Sequence, residues 1–230
     1  MTMPAPQTPS ARVPDAQLSD PRAQAQAEVR AMRAHLPALG AAGIDLILGK
    51  ARSHYAWQDR PVTDAQLRQI YDITRQGATS MNCSPARFIF VRTPEGKARL
   101  RPSLKPKNVD KVLSAPVTVI IADDLAFWHR LDFLFPHEDR KPLFQGKAKY
   151  IDETAARNAT LQGAYMMIAA RAIGLDCGPI SGFDNAAVDA AFFAGTQLRS
   201  NFLLNLGYGD ETALFGKLPR LPFEEACQFV

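Results

Sequence analysis

Apolar residues recur along this chain with two different periods. Ile44, Ile47 and Leu48 share one face of a predicted helix over 44–52. Thr63-Asp64-Ala65-Gln66 has the form of a capping box and predicts a helix running to Gly77. Phe88–Val91, Val117–Ala122 and Asn201–Leu206 are short β-prone runs and read as strands. Leu125–Phe135 reads as a helix closed by Pro136. Asp152–Ile173 is the longest predicted element, about 33 Å if helical, with acids at its start and Gly174 after its end. Ala, Leu and Met occupy most of its faces, which predicts burial on several sides. Arg157, Asn158, Gln162 and Arg171 exclude a membrane span and favour a core or subunit-interface helix. The mixture predicts an α+β fold, a short sheet among many helices.

The first forty residues follow neither period. Met1–Asp20 is rich in Pro, Ala and Gln and predicts a disordered lead. Pro21–Leu36 can form a helix with Val29, Met32 and Leu36 on one side. Asp15, Asp20 and Glu28 balance its arginines, which fits an acid-poor transit peptide badly. A docking arm and a start codon placed too early both remain open. The predicted organisation is an extension, 1–40, and one folded domain, 41–230.

Composition changes this picture only by exclusion. Of 230 residues, 47% are apolar and 22% charged, enough for a substantial core. The net charge of +4 is spread among acids, so no basic stripe for nucleic acid is present. Cys83, Cys177 and Cys227 form no CxxC pair, which points to a reducing compartment. With no signal-peptide core and no long apolar run, the expected location is cytoplasmic and off the membrane.

Two loops carry candidate chemistry. Gly77 to Pro85 offers hydroxyls, an amide and backbone groups in a tight Thr-Ser-x-Asn-x-x-Pro turn, although an ordinary helix–strand connector would read the same way. Gly174 to Asp184 holds Gly178, Pro179 and Gly182, a defined turn from which the Ser181 and Gly182 N–H groups could face a ligand. Arg52-Ser53 and the distant Lys217 and Arg220 would bind one phosphate if brought together. No P-loop exists, and Gly207-Tyr208-Gly209 lacks the third small residue of a dinucleotide fingerprint. His35, His54, His129 and His137 lack metal-ligand spacing, so no metal is expected. Nothing near Cys83 in sequence would activate it as a nucleophile.

The ordered set Arg52-Ser53, Ser80-x-Asn82-x-x-Pro85, Asn108 and Lys111 ahead of Ala115-Pro116, Pro179-Ile-Ser-Gly-Phe-Asp184 and Lys217-Leu-Pro-Arg220 resembles the FMN-dependent nitroreductase family. Residues 51–57, 82–87 and the 218–227 tail are most similar to malonic semialdehyde reductases of pyrimidine breakdown, also called 3-hydroxypropionate dehydrogenases. The resemblance implies a nitroreductase-like fold and a homodimer with FMN at its interface. Arg52, Ser53, Lys217 and Arg220 would then hold the FMN phosphate, and Ser80 and Asn82 would border the ring or ribityl chain. Asn108 would face the ribityl chain or ring edge, and Lys111 the N1/C2 oxygen edge. The backbone of Ser181 and Gly182 would meet N5 and O4, with Pro179 and Ile180 shaping that wall.

Departures from the family bear on substrate. Ser84-Pro85-Ala86 replaces a common Gln-Pro-Trp, and Ser181 stands where many members have Glu. The first change opens space over the ring and the second removes a negative charge close to the substrate. A less acidic pocket suits a short anionic aldehyde. The implied activity is NADPH-dependent (or NADH-dependent) reduction of malonic semialdehyde to 3-hydroxypropionate. The alternatives are a generalist nitro or quinone reductase and a non-catalytic FMN-binding protein. No catalytic acid is assigned; Arg87 is a candidate for the substrate carboxylate, against a surface ion pair.

Overall fold

The computed structural model describes residues 20–36 and 38–230. The predicted disordered lead therefore lies mostly outside the described residues. The chain divides into two units, Met1–Ala41 and Ala42–Val230. In the first, Pro21–His35 is a helix capped by the Asp20 carboxylate, which accepts from Arg22 N. The second holds four strands: β1 Ala86–Val91, β2 Val117–Asp124, β3 Asp176–Ile180 and β4 Leu198–Gly207. They form one antiparallel sheet in the order β1-β2-β4-β3.

Helices cover both faces, so the central strands are apolar on both sides and do not alternate. Val117, Val119, Ile121, Leu204 and Leu206 face one core with Ile70 from the helix Asp64–Thr74 and Met166 from the long helix Ala148–Ala172. Ile120, Ala122 and Leu203 face a second core. There they meet Leu100, Val112 and Val188 from the short helices Pro94–Leu100, Val109–Leu113 and Asn185–Phe192.

The Thr63–Gln66 capping box forms as expected. Elsewhere tertiary structure corrected the pattern. Over 44–52 the helix is a single α turn, Ala41–Ile44, followed by a π turn, Asp45–Gly49, because the chain then leaves to run beside the sheet. The 125–135 helix is a 3-10 turn, Phe127–Arg130, and one α turn, Leu131–Leu134. Phe127 and Leu131 still point inward, onto Phe144. The long helix starts at Ala148, before its acids, because Tyr150 stacks on Phe144 at 5.1 Å and Ile151 packs nearby. Packing there outweighs an unfavourable pair of lysines at the helix start. The loop 174–184 contains an unexpected strand, β3, whose Pro179 is tolerated at the sheet edge.

One buried charge affects stability directly. Lys97 is buried, and desolvation pushes its ammonium down to about 8, from an ordinary value of 10.5. Below pH 8 both folded and unfolded chains carry the proton, and the fold bears the whole cost of burying the charge. Between about pH 8 and 10.5 the unfolded chain holds more protons, so stability rises with pH. From pH 7.5 to 10.5, denaturant titrations are expected to show the wild type gaining about 2 to 3 kcal/mol relative to a Lys97→Met variant. A constant difference would contradict a depressed lysine.

Candidate functional site

The site is built where an early segment lies against the free edge of β3. Ser53 makes a parallel bridge to Cys177, and His54 N donates to Cys177 O at 3.0 Å. This approach requires glycine next in the strand. A Cβ on Gly178 would stand 2.5 Å from the His54 carbonyl oxygen and 3.1 Å from Trp57 Cζ2. The segment then passes to the chain leaving β4, where Gln58 N donates to Tyr208 O and Trp57 bridges Gly209. His54 is buried beneath it, 3.4 Å from the Asp176 carboxylate.

Held this way, Arg52 meets the C-terminal tail. Its guanidinium donates to Phe215 O at 2.6 Å, and Lys217 Nζ donates to Gly49 O. Arg220 turns back onto the Leu218 and Pro219 carbonyls. Arg52, Ser53, Lys217 and Arg220 line one cavity of about 500 Å³, joined by Arg171 from the last turn of the long helix. Among the described residues none of these four cations is paired with a carboxylate. Arg171 Nη1 donates to Ile47 O at 3.0 Å, and its Nε is buried without a hydrogen-bond partner among the described residues. Charge-assisted bonds are the strongest use of such donors, so the arrangement suits an anion with several oxygens. The sequence reading missed Arg171 as a site residue and used it only to exclude a membrane span.

Tyr55 links this cavity to a second group. Its ring lies 6.4 Å from that of Phe215, and Lys111 Nζ sits 4.9 Å from its centre. Lys111 Nζ also donates to Asn108 Oδ1 at 3.1 Å, and Asn108 Nδ2 donates to Gly182 O at 2.9 Å. The Ser181 and Gly182 N–H groups have no acceptor outside the sheet ladder among the described residues. Ile180 reaches this place by backbone alone, since strand alternation turns its side chain into the core and exposes Pro179.

Ser80 and Asn82 stand apart. Their loop is clamped by the long helix: buried Asn158 Oδ1 accepts from Ser80 N, and buried Gln162 Oε1 accepts from Ala86 N, each at 2.8 Å. Met81, Asn82 and Ser84 all have positive φ, near 52°, 50° and 38°. Such backbone costs energy and persists only where its surroundings impose it. Asn82 Nδ2 donates to Leu134 O. Asn158 and Arg171 are separated by about 20 Å along the helix axis. One chain therefore does not bring this loop to the cation cavity.

Two side readings are resolved by geometry. Arg87 is not free for a substrate. It pairs with Asp124 at 2.5 Å and donates to the Ser84 and Ala86 carbonyls, which ties the clamped loop to β1. Burial pushes the Cys83 thiol up to about 11 and Cys177 up to about 12, away from nucleophilic use. Among the described residues no cluster of His, Cys, Asp and Glu could hold a metal. No described helix is long and apolar enough to cross a membrane.

Comparison with known proteins is consistent with this arrangement. The model of the nitroreductase family matches residues 48–208. A Burkholderia lata protein with the provisional name NADH dehydrogenase/NAD(P)H nitroreductase is 54% identical over 190 residues, 83% of this chain and 97% of that protein. HadB of Ralstonia pickettii, under the same provisional name, is 56% identical over 184 residues, 79% and 94% of the two chains. A provisionally named nitroreductase from Exiguobacterium sibiricum 255-15, solved in complex with FMN, superposes with a TM-score of 0.73 at 22% identity. That match covers 84% of this chain and 99% of the other.

Proposed function

We propose, for a chain that belongs to the nitroreductase family, that two copies enclose FMN and that malonic semialdehyde is the acceptor. The coarser activity is that of the family, NAD(P)H-dependent oxidoreduction. The observation that carries the reading is the gathering of Arg52, Arg171, Lys217 and Arg220, without carboxylate partners, around one cavity.

FMN fits what these residues offer. Arg52, Ser53, Lys217 and Arg220 would hold its phosphate, with Arg171 behind them. Asn108 would meet the ribityl chain or ring edge. Lys111 would place its positive charge at the N1/C2 oxygen edge, where the reduced flavin is negative. The Ser181 and Gly182 amides would address N5 and O4. When bound, FMN supplies hydride transfer from NADPH or NADH to an acceptor. The protein's part is to orient donor and acceptor in turn and keep the ring edge electrostatically satisfied.

Ser80 and Asn82 would border the same ring from the second copy. Their separation from the cation cavity within one chain supports that reading. So does the exposed apolar surface of Leu46, Leu48, Leu161, Phe215, Leu218 and Leu221, which a second copy would cover.

The substrate reading rests on Ser84 and Ala86, which would open space over the ring, and on Ser181, which adds no acid beside the substrate. The net reaction adds hydride and one proton to the aldehyde, giving 3-hydroxypropionate. A second reading, a generalist nitro or quinone reductase, is favoured by the provisional names of the relatives. Anaerobic stopped flow separates them: NADPH is expected to bleach the oxidised flavin band near about 450 nm, and malonic semialdehyde to restore it. Recovery with nitrofuran or menadione alone would sink the aldehyde reading. A bound flavin that neither NADPH nor NADH bleaches would leave only a binding protein.

A further inference from the structure

Beneath Lys111 lies a buried polar chain that the reaction itself does not explain. Lys97 Nζ donates to Val112 O and to Thr118 Oγ1, both at 2.6 Å. Thr118 Oγ1 donates to Asn205 Oδ1 at 2.6 Å, and Asn205 Nδ2 donates to Lys111 O at 2.9 Å. Trp57 Nε1 adds a second donor to Lys111 O at 3.2 Å. Thr118 and Asn205 are directly opposed across β2 and β4, and both are fully buried.

The direction of this chain is set by its first member. Lysine has only donors, so the Thr118 hydroxyl must pass its own proton onward, and the Asn205 amide must turn its nitrogen toward Lys111 O. The result grips the last carbonyls of Val109–Leu113, a helix too short to hold itself by backbone bonds. A charge there also complements the helix C-terminus. Yet no carboxylate lies within ion-pair distance of Lys97 among the described residues. The other charged residues of the helices Pro94–Leu100 and Val109–Leu113 are Glu95, Arg99 and Asp110, which are exposed, and Lys111, which is half-buried. Burial with no countercharge pushes its ammonium down to about 8. A methionine would fill the space without that cost, so the ammonium is retained at the expense of stability.

We infer that Lys97, acting through Thr118 and Asn205, is a positioning residue that fixes Lys111 and Asn108 against the bound flavin's N1/C2 edge. The inference rests on the FMN reading above and goes beyond it. It accounts for an otherwise costly charge on the core side of the helix that carries Lys111.

The test is a double-mutant cycle on the purified holoprotein, with FMN affinity and the reduction potential of bound flavin as readouts. Lys97→Met and Lys111→Met are each expected to weaken FMN about tenfold and to make the potential more negative. In the double variant the second substitution is expected to add little, because both remove one positioned cation. If Lys97→Met does not fold, Thr118→Val breaks the same chain with little change of shape and carries the same expectation. Unchanged affinity and potential in Lys97→Met or Thr118→Val, with only a shifted melting temperature, would overturn the inference. So would effects that simply add. Wild-type protein that takes up no FMN would instead remove the premise.

Discussion

Replacing Arg52 with alanine is expected to weaken FMN binding about 30- to 150-fold while leaving riboflavin affinity unchanged. The guanidinium is positioned by the Ser53–Cys177 bridge and at present satisfies only a backbone carbonyl, that of Phe215. A phosphate would replace a neutral acceptor with a charged one and recruit Lys217 and Arg220 from the same cavity wall. Riboflavin lacks the phosphate, so it reports any general damage to the site. Equal losses for both ligands would show that Arg52 shapes the fold and does not bind the anion. Arg52→Lys keeps the charge but not the planar fork, and should fall between the two.

The same variant tests whether the site is shared. If Arg52 comes from one copy and Asn82 from the other, mixing Arg52→Ala chains with Asn82→Ala chains after dissociation regenerates intact sites. About a quarter of all sites should recover wild-type affinity, since half the dimers are hybrids with one complete site each. No recovery in verified hybrids would place both residues' effects within a single chain.

Gly178→Val is expected to have the largest effect on the fold, a loss of at least about 4 kcal/mol together with FMN binding. The added side chain would run into the His54 carbonyl, a backbone atom that cannot rotate away, and into Trp57. The segment 52–58 would leave the edge of β3, exposing a strand edge and carrying Arg52 and Tyr55 out of the cavity. Gly216→Ala is the control: it lines the same cavity, but a Cβ there meets nothing within 4 Å. Its melting temperature and FMN affinity should match the wild type. A Gly178→Val protein that melts and binds normally would contradict the packed geometry at His54.

What patterning could read was local. Thr63 and Gln66 cap a helix by contacts three residues apart, and the β-branched and aromatic runs at 88–91, 117–122 and 201–206 are strands in any context that buries them. β3 was read as a turn because Gly178 and Pro179 are turn formers. Their use in a strand depends on β4 on one side and Ser53 on the other, neither adjacent in sequence. The Leu125–Phe135 run has helical spacing, yet Phe127, Leu131 and Phe144 packed into a tighter winding.

The candidate site divides in the same way. Side-chain charge and hydroxyl chemistry pointed to Arg52, Ser53, Lys217 and Arg220 as one anion site, because that chemistry belongs to the residue wherever it stands. Asn108 and Lys111 were named only through the family resemblance. That Arg171 joins them, that Asn158 and Gln162 hold a strained loop, and that Lys97 lies buried under Lys111 was decided only by the folded chain. Those roles arise from burial and from partners contributed by distant elements. Residue type sets what a group can donate, while desolvation and three-dimensional neighbours set what it must.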